Sequence, residues 1–149
     1  MESKRKIIFS HFKNPSNHAE IEELEKKNEE AQNKYFSRFQ SSSGSCGDVI
    51  YLFIEGKNDF IKEALFNGKQ SCLITFAFSD ILCSWVENKK IAAIKSLISN
   101  VKKMLGGEKC NLDECKEMEV FTDIINYPAR IGCIDLVIRG FEKMLELNQ

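Results

Sequence analysis

Proline is scarce in this 149-residue chain: there are two, with eight glycines, which argues against a loop-rich or disordered polypeptide. A single tryptophan stands beside eleven phenylalanines, so the core is aromatic without being Trp-anchored. Neither sign of charge dominates, with 21 basic against 22 acidic residues and a formal charge of −1. Nucleic-acid binding ordinarily needs a basic surplus to neutralise phosphates, so nucleic acid is not an expected partner. Long apolar runs are missing too. The richest stretch, Cys72–Val86, would span about 22 Å as a helix, short of the ~30 Å of a bilayer core, and it contains Asp80. The charged start Met1-Glu-Ser-Lys-Arg-Lys6 precedes only Ile7, Ile8 and Phe9, too few for a signal sequence, and the chain closes on Leu-Asn-Gln without an anchor. A single cytoplasmic domain over residues 1–149, without stable membrane insertion, is expected.

The recognisable catalytic signatures are absent as well. G-x-S-x-G, G-x-x-x-x-G-K-S/T and H-E-x-x-H do not occur, and the only histidines, His11 and His18, lack triad-like partners. Gly44-Ser-Cys-Gly47 has no strand before it to make a nucleophile turn. Asp80 is the one carboxylate expected to be buried, read as an acid at a helix crossing and not as a catalyst. The six cysteines are at 46, 72, 83, 110, 115 and 133. Cys110 and Cys115 form C-x₄-C, but no second pair or nearby histidine completes a zinc site. Free thiols in a reducing compartment are expected, with Cys46, Cys110 or Cys115 open to intermolecular disulfides during purification. The expectation is a non-enzyme with no catalytic residues, no metal and no cofactor.

What is present reads as helix throughout. Asn17 and Glu20 make an N-x-x-E capping box before Ile21, Leu24, Ala31, Tyr35 and Phe39, which recur at helical spacing. Ser41–Gly47 breaks this helix as a flexible loop. Asp48–Ile54 could pass for a strand, but no partner strand is visible, so it and Asn58–Phe66 are read as helices. Cys72–Val86 is apolar on every face, the mark of a buried helix, and it places Cys72 and Cys83 on one side. After a turn at Glu87–Lys90, the residues Ile91, Ile94, Leu97, Ile98, Val101 and Met104 define a one-faced helix capped by Gly106-Gly107. A further helix carries Met118, Phe121 and Ile124 and ends before Pro128, and a last one uses Ile131 to Leu145. The fold class expected is all-α: seven to eight helices around a buried central helix, about residues 70–86, in a hairpin with 88–105. A groove floored by such a helix can take a partner's amphipathic helix.

Phe76-Ala-Phe-Ser-Asp-Ile-Leu-Cys83 followed by Val86-Glu-Asn-Lys-Lys90 resembles the central hairpin of the Bcl family, the B-cell-lymphoma-two-like apoptosis regulators. Tyr35-Phe-Ser-Arg-Phe39 is similar to the family's R-Y-R-R-A-F stretch, and Leu24-Glu-Lys-Lys-Asn-Glu-Glu30 to its L-x-x-x-G-D-E motif. The family's Asn-Trp-Gly-Arg signature is eroded to Gly68-Lys-Gln-Ser71, which with the compact length looks most like a virus-encoded member. The resemblance implies an anti-apoptotic protein that sequesters the homology-three helix of Bim-like, Bak-like or Bax-like proteins with restricted selectivity. It is then a host-cytosolic protein, peripheral at mitochondria through its partners, with homodimerisation open. Tyr35 and Phe39 would form one groove wall, Phe53, Phe60 and Leu65 the other, and Leu73 and Phe78 the floor, with Lys69 as the rim charge. The alternatives within the fold are a viral inhibitor of innate-immune signalling acting through other surfaces, and a pro-death relative.

Overall fold

The apolar run that opens at Val49 is a strand, and it decides the fold class. The computed structural model describes residues 3–41 and 47–146; the expected flexible loop at 41–47 falls, for residues 42–46, outside them. Strands β1 (Lys34–Gln40), β2 (Val49–Lys57) and β3 (Phe60–Asn67) form one antiparallel sheet in the order β1-β2-β3. Phe36 lies opposite Phe53, and Leu52 opposite Phe66. The protein is therefore mixed α/β, and the all-α bundle is overturned.

The physical reason lies in how β2 is covered. Ile50, Leu52 and Ile54 enter the main core, while Phe53 on the opposite face joins a smaller one with Ala19, Leu24 and Leu65. A strand buried on both faces reads as a continuous apolar run, which periodicity does not separate from a buried helix. The β-branched and aromatic content of Val49-Ile-Tyr-Leu-Phe-Ile54 favours the extended form. β1 was hidden differently. The helix expected over 21–39 stops as α2 (Ile21–Glu30), and the chain turns through an extended Ala31 and a left-handed Asn33 at φ 49°. Residues four apart share a face in both helix and strand, so Tyr35 and Phe39 fit either period. The β2–β3 turn uses Asn58 at φ 59°, a conformation asparagine tolerates better than most residues. A register shift beside Glu55 and Gly56 then lets Ile61 face the same core as Ala64 and Phe66 despite their opposite parity.

The remaining elements cover the sheet. They are α1 (Lys4–Lys13), α3 (Leu73–Val86), α4 (Ile91–Leu105), a 3-10 segment over Asp113–Asn126 kinked at Cys115, and α5 (Pro128–Leu145), which opens on proline. The helix–turn–helix of α3 and α4 is present, but α3 packs on α1, β3, α5 and the 3-10 segment, so a sheet replaces half of the expected helical shell. Ten of its residues, from Thr75 to Val86, are buried. Asp80 in α3 is buried as expected, and its partner is a histidine: His11 Nδ1 of α1 lies 2.6 Å from its carboxylate. Among the described residues no helix is long and apolar enough to cross a membrane.

α5 approaches the sheet closely at Gly140, where a Cβ would lie 3.0 Å from Leu52 Cδ1 and 3.1 Å from the Phe39 ring. Gly140→Val is expected to lower unfolding stability by about 1–3 kcal/mol through overpacking, as read by urea denaturation. A variant as stable as the parent would show that the sheet yields at this crossing.

Candidate functional site

Three elements meet at the N-terminus of α3. Asp48 stands just before β2, Cys72 is the N-cap residue of α3, and Cys133 lies in the second turn of α5. Their ligand atoms, one carboxylate oxygen and two sulfurs, all lie within 4.8 Å of one another. The two Sγ atoms are 3.4 Å apart. Asp48 is held from both sides: Oδ1 accepts the Cys72 N–H at 2.9 Å, and Oδ2 accepts the Thr75 hydroxyl at 2.6 Å. One carboxylate thereby satisfies a donor that a helix start leaves open and stays fixed beside the sulfurs. The backbone supports the placement, since Val49 N–H donates to Gln70 O and Ser41 N–H to Asp48 O.

The electrostatics distinguish Cys72 from Cys83 and Cys115. Hydrogen bonding from Cys133, opposed by burial and aided by Thr75, brings the Cys72 thiol down to about 6. A helix N-terminus favours a thiolate in the same sense. Burial acts the other way elsewhere: it pushes Cys115 up to about 11 and raises Cys83 well above the ordinary thiol range. Two cysteines and a carboxylate converging in a largely buried place suit a thiophilic metal, because thiolate ligands select zinc and iron–sulfur species.

The residues expected to line a groove do not converge. Tyr35 is 47% exposed on β1, and Phe39 of the same strand is half-buried against α5 at Gly140. Phe53 and Leu65 belong to the small core under α2, whereas Phe78 is buried in the main core across the sheet and Leu73 packs at that core's margin. Phe60 sits half-buried at the start of β3, and Lys69 is an exposed side chain paired with Glu20. Leu73 does line a largely apolar cleft, with Ile8, Phe9, Ile124 and Tyr127 of other elements. Sequence reasoning missed Asp48, Cys72, Thr75 and Cys133 as a group. Asp48 and Cys133 are 24 and 61 residues from Cys72, so no short motif joins them. The available signal was an acid and thiols at the ends of apolar elements, where side chains are positioned by rigid neighbours.

Comparison with known proteins gives this cluster its setting. The chain matches the family described as NifU-like N terminal domain over residues 3–134. It is 31% identical over 102 residues to the iron–sulfur cluster assembly scaffold protein IscU of Thermotoga maritima, covering 68% of this chain and 71% of that protein. It is 23% identical over 141 residues to the protein of the same name from Streptococcus pyogenes, covering 94% and 80%. Among solved structures, a candidate iron–sulfur cluster assembly scaffold of the SUF system from Fervidobacterium islandicum superposes with a TM-score of 0.79 at 23% identity, over 94% of each chain. The N-terminal part of a NifU-like protein from Brucella abortus gives 0.77 at 14% identity, over 95% of this chain and 91% of that one. The last two establish likeness of fold.

These matches overturn the resemblance to the Bcl family, and with it the anti-apoptotic function, the viral origin and the homology-three partners. The helical hairpin that carried that resemblance is common property of buried apolar helices followed by a polar turn. With its family match extending from the first helix into the last, the chain belongs to the NifU-like N-terminal domain family.

Proposed function

We propose that this protein is an iron–sulfur cluster assembly scaffold, with Asp48, Cys72 and Cys133 holding the cargo. The observation that carries this reading is the convergence of two thiols and a carboxylate, all within 4.8 Å, at the start of α3. The names of the relatives agree with it. The donor chemistry fits the cargo. Thiolates are the ligand form of cysteine, so binding must release protons, and a Cys72 thiol at about 6 is largely deprotonated at neutral pH. The carboxylate is a harder donor than sulfur and holds iron less firmly than a third thiolate, which suits a protein that must give its cargo up. A tetrahedral iron takes a further ligand; Cys46, two residues before Asp48 in the chain and outside the described residues, has the chemistry for it.

In this reading the chain is a carrier and not an enzyme, it works in the cytoplasm, and a cysteine desulfurase supplies its sulfur. The cleft lined by Leu73 at the start of α3, Ala129 at the start of α5, Phe9 and Tyr127 gives such a partner a surface to dock on. Anaerobic incubation with ferrous iron, cysteine, a cysteine desulfurase and a dithiol reductant, which supplies the electrons that take persulfide sulfur to sulfide, is expected to produce thiolate-to-iron absorption in the visible range, with iron and sulfide bound to the chain and transferable to an apo-ferredoxin. A protein that emerges from desalting with neither iron nor sulfide is no scaffold.

A further inference from the structure

Thr75 is fully buried in the first turn of α3, and no role in holding cargo follows from its being there. Its surroundings supply one. The hydroxyl lies 2.6 Å from Asp48 Oδ2, 3.5 Å from Cys72 Sγ and 3.4 Å from the Cys133 carbonyl oxygen. It therefore touches all three residues of the cluster while contributing no ligand to it. A hydroxyl has a single proton, and the short contact to a carboxylate outcompetes the long one to a neutral carbonyl. The proton goes to Asp48, and toward the Cys72 sulfur Thr75 presents its backbone N–H, which helps bring that thiol down.

The consequence is geometric. Among the described residues each Asp48 oxygen accepts one donor, Cys72 N–H on Oδ1 and Thr75 O–H on Oδ2, and both donors come from one helical turn. The carboxylate plane is thereby fixed by two neutral groups that leave its charge intact. Among the described residues each oxygen keeps a second lone pair, and the sulfurs of Cys72 and Cys133 stand beside the carboxylate. Valine has nearly the same shape as threonine and would fill this position without the burden of burying a hydroxyl, which is unfavourable unless the hydroxyl is hydrogen-bonded.

We propose that Thr75 is a positioning residue for cargo: its hydroxyl orients the Asp48 carboxylate toward Cys72 and Cys133, so that the oxygen binds metal together with the two sulfurs. This rests on the scaffold reading and deepens it. Groups that orient metal ligands through hydrogen bonds typically cost 10–100-fold in affinity when removed. Thr75 differs from a simple helix cap because its effect must pass through Asp48.

The experiment is an anaerobic cobalt(II) titration of the full chain as wild type, Thr75→Val, Thr75→Ser, Asp48→Ala and the Thr75→Val/Asp48→Ala double variant. Cobalt reports both affinity and donor set, through thiolate charge-transfer and ligand-field absorption. Thr75→Val is expected to bind about 10–100-fold more weakly, with a ligand-field envelope moved toward that of Asp48→Ala. Thr75→Ser is expected to restore both. In the Asp48→Ala background the valine substitution is expected to change nothing further. Thermal unfolding of the metal-free variants checks that they are folded; should Thr75→Val not fold, Thr75→Ala carries the same cycle. Wild-type affinity and spectrum in the folded Thr75 variant overturn the assignment alone. So does an equal loss of affinity in both backgrounds. A wild type that takes up neither cobalt nor a cluster overturns the scaffold reading beneath it.

Discussion

Cys133→Ser is expected to abolish retention of an iron–sulfur cluster while leaving the fold in place. The substitution exchanges a thiolate donor for a hydroxyl that stays protonated at neutral pH and binds iron poorly. Loss of a direct ligand should exceed the 10–100-fold that outer partners alone command, so the expected fall in cluster affinity is more than about 100-fold. The backbone position does not change, and serine can still donate to the Ala129 carbonyl, which the Cys133 thiol approaches at 3.7 Å. Cys72→Ser should behave alike, since the N-cap site of α3 accepts serine well. The control is Cys83→Ala, in the helix that Cys72 caps but fully buried in the main core. It should keep wild-type loading and lose about 1 kcal/mol of stability. Iron and sulfide analysis after anaerobic reconstitution, with thermal melts of each metal-free protein, separates the two behaviours. Full cluster content in Cys133→Ser would remove this cysteine from the site.

The second large effect concerns stability. Asp80 is fully buried and accepts three hydrogen bonds: Ser16 N–H at 2.9 Å, Asn17 N–H at 2.8 Å and His11 Nδ1 at 2.6 Å. His11 Nε2 reaches Glu117 at 2.7 Å, so one imidazolium joins α1 to both α3 and the 3-10 segment. Asp80→Ala strips the partner from three donors at once. Breaking a buried pair by removing one member costs about 3–5 kcal/mol, a large share of the 5–15 kcal/mol typical of whole domains. The variant is expected to melt at a much lower temperature, and α1 to lose amide protection first. The pH dependence follows from His11, whose pKa is raised from 6.5 to about 9, chiefly by the Asp80 hydrogen bond and then by Glu117, against the opposing effect of burial. The protonated form is the one favoured by folding. Its contribution is complete below about pH 6.5, declines as the pH rises, and is gone above about 9. Urea midpoints measured from pH 6 to 10 should fall more steeply for the parent than for His11→Gln. Parallel profiles would show that the imidazolium contributes nothing.

How far the fold was legible follows from the same physics. α3 and α4 could be read because their signals are local. An all-round apolar stretch, a polar turn and a glycine stop mark Leu73–Val86 and Ile91–Leu105. The boundary before Pro128 was legible for the same reason, because proline restricts the residue preceding it. β2 was not, since its two covers, α2 on one side and the main core on the other, are tertiary facts. With Val49–Ile54 read as helical, Lys34–Gln40 has no strand to pair with, and one error sustains the other. The site was less legible still. Asp48, Cys72 and Cys133 each look ordinary in their own neighbourhood, and only the sheet and α5 bring them together. Asp80 could be identified as buried, but its partner is 69 residues away.

That separation has a thermodynamic corollary. Because residues from the first third, the middle and the last helix of the chain must coincide before anything can be gripped, an unfolded or half-folded molecule has almost no affinity for cargo. Mass action then runs backwards as well. On the scaffold reading, occupancy draws molecules out of partly opened states by clasping the start of β2, α3 and α5 together, and departure of the load relaxes that clasp. A scaffold built in this way is stiffer loaded than empty.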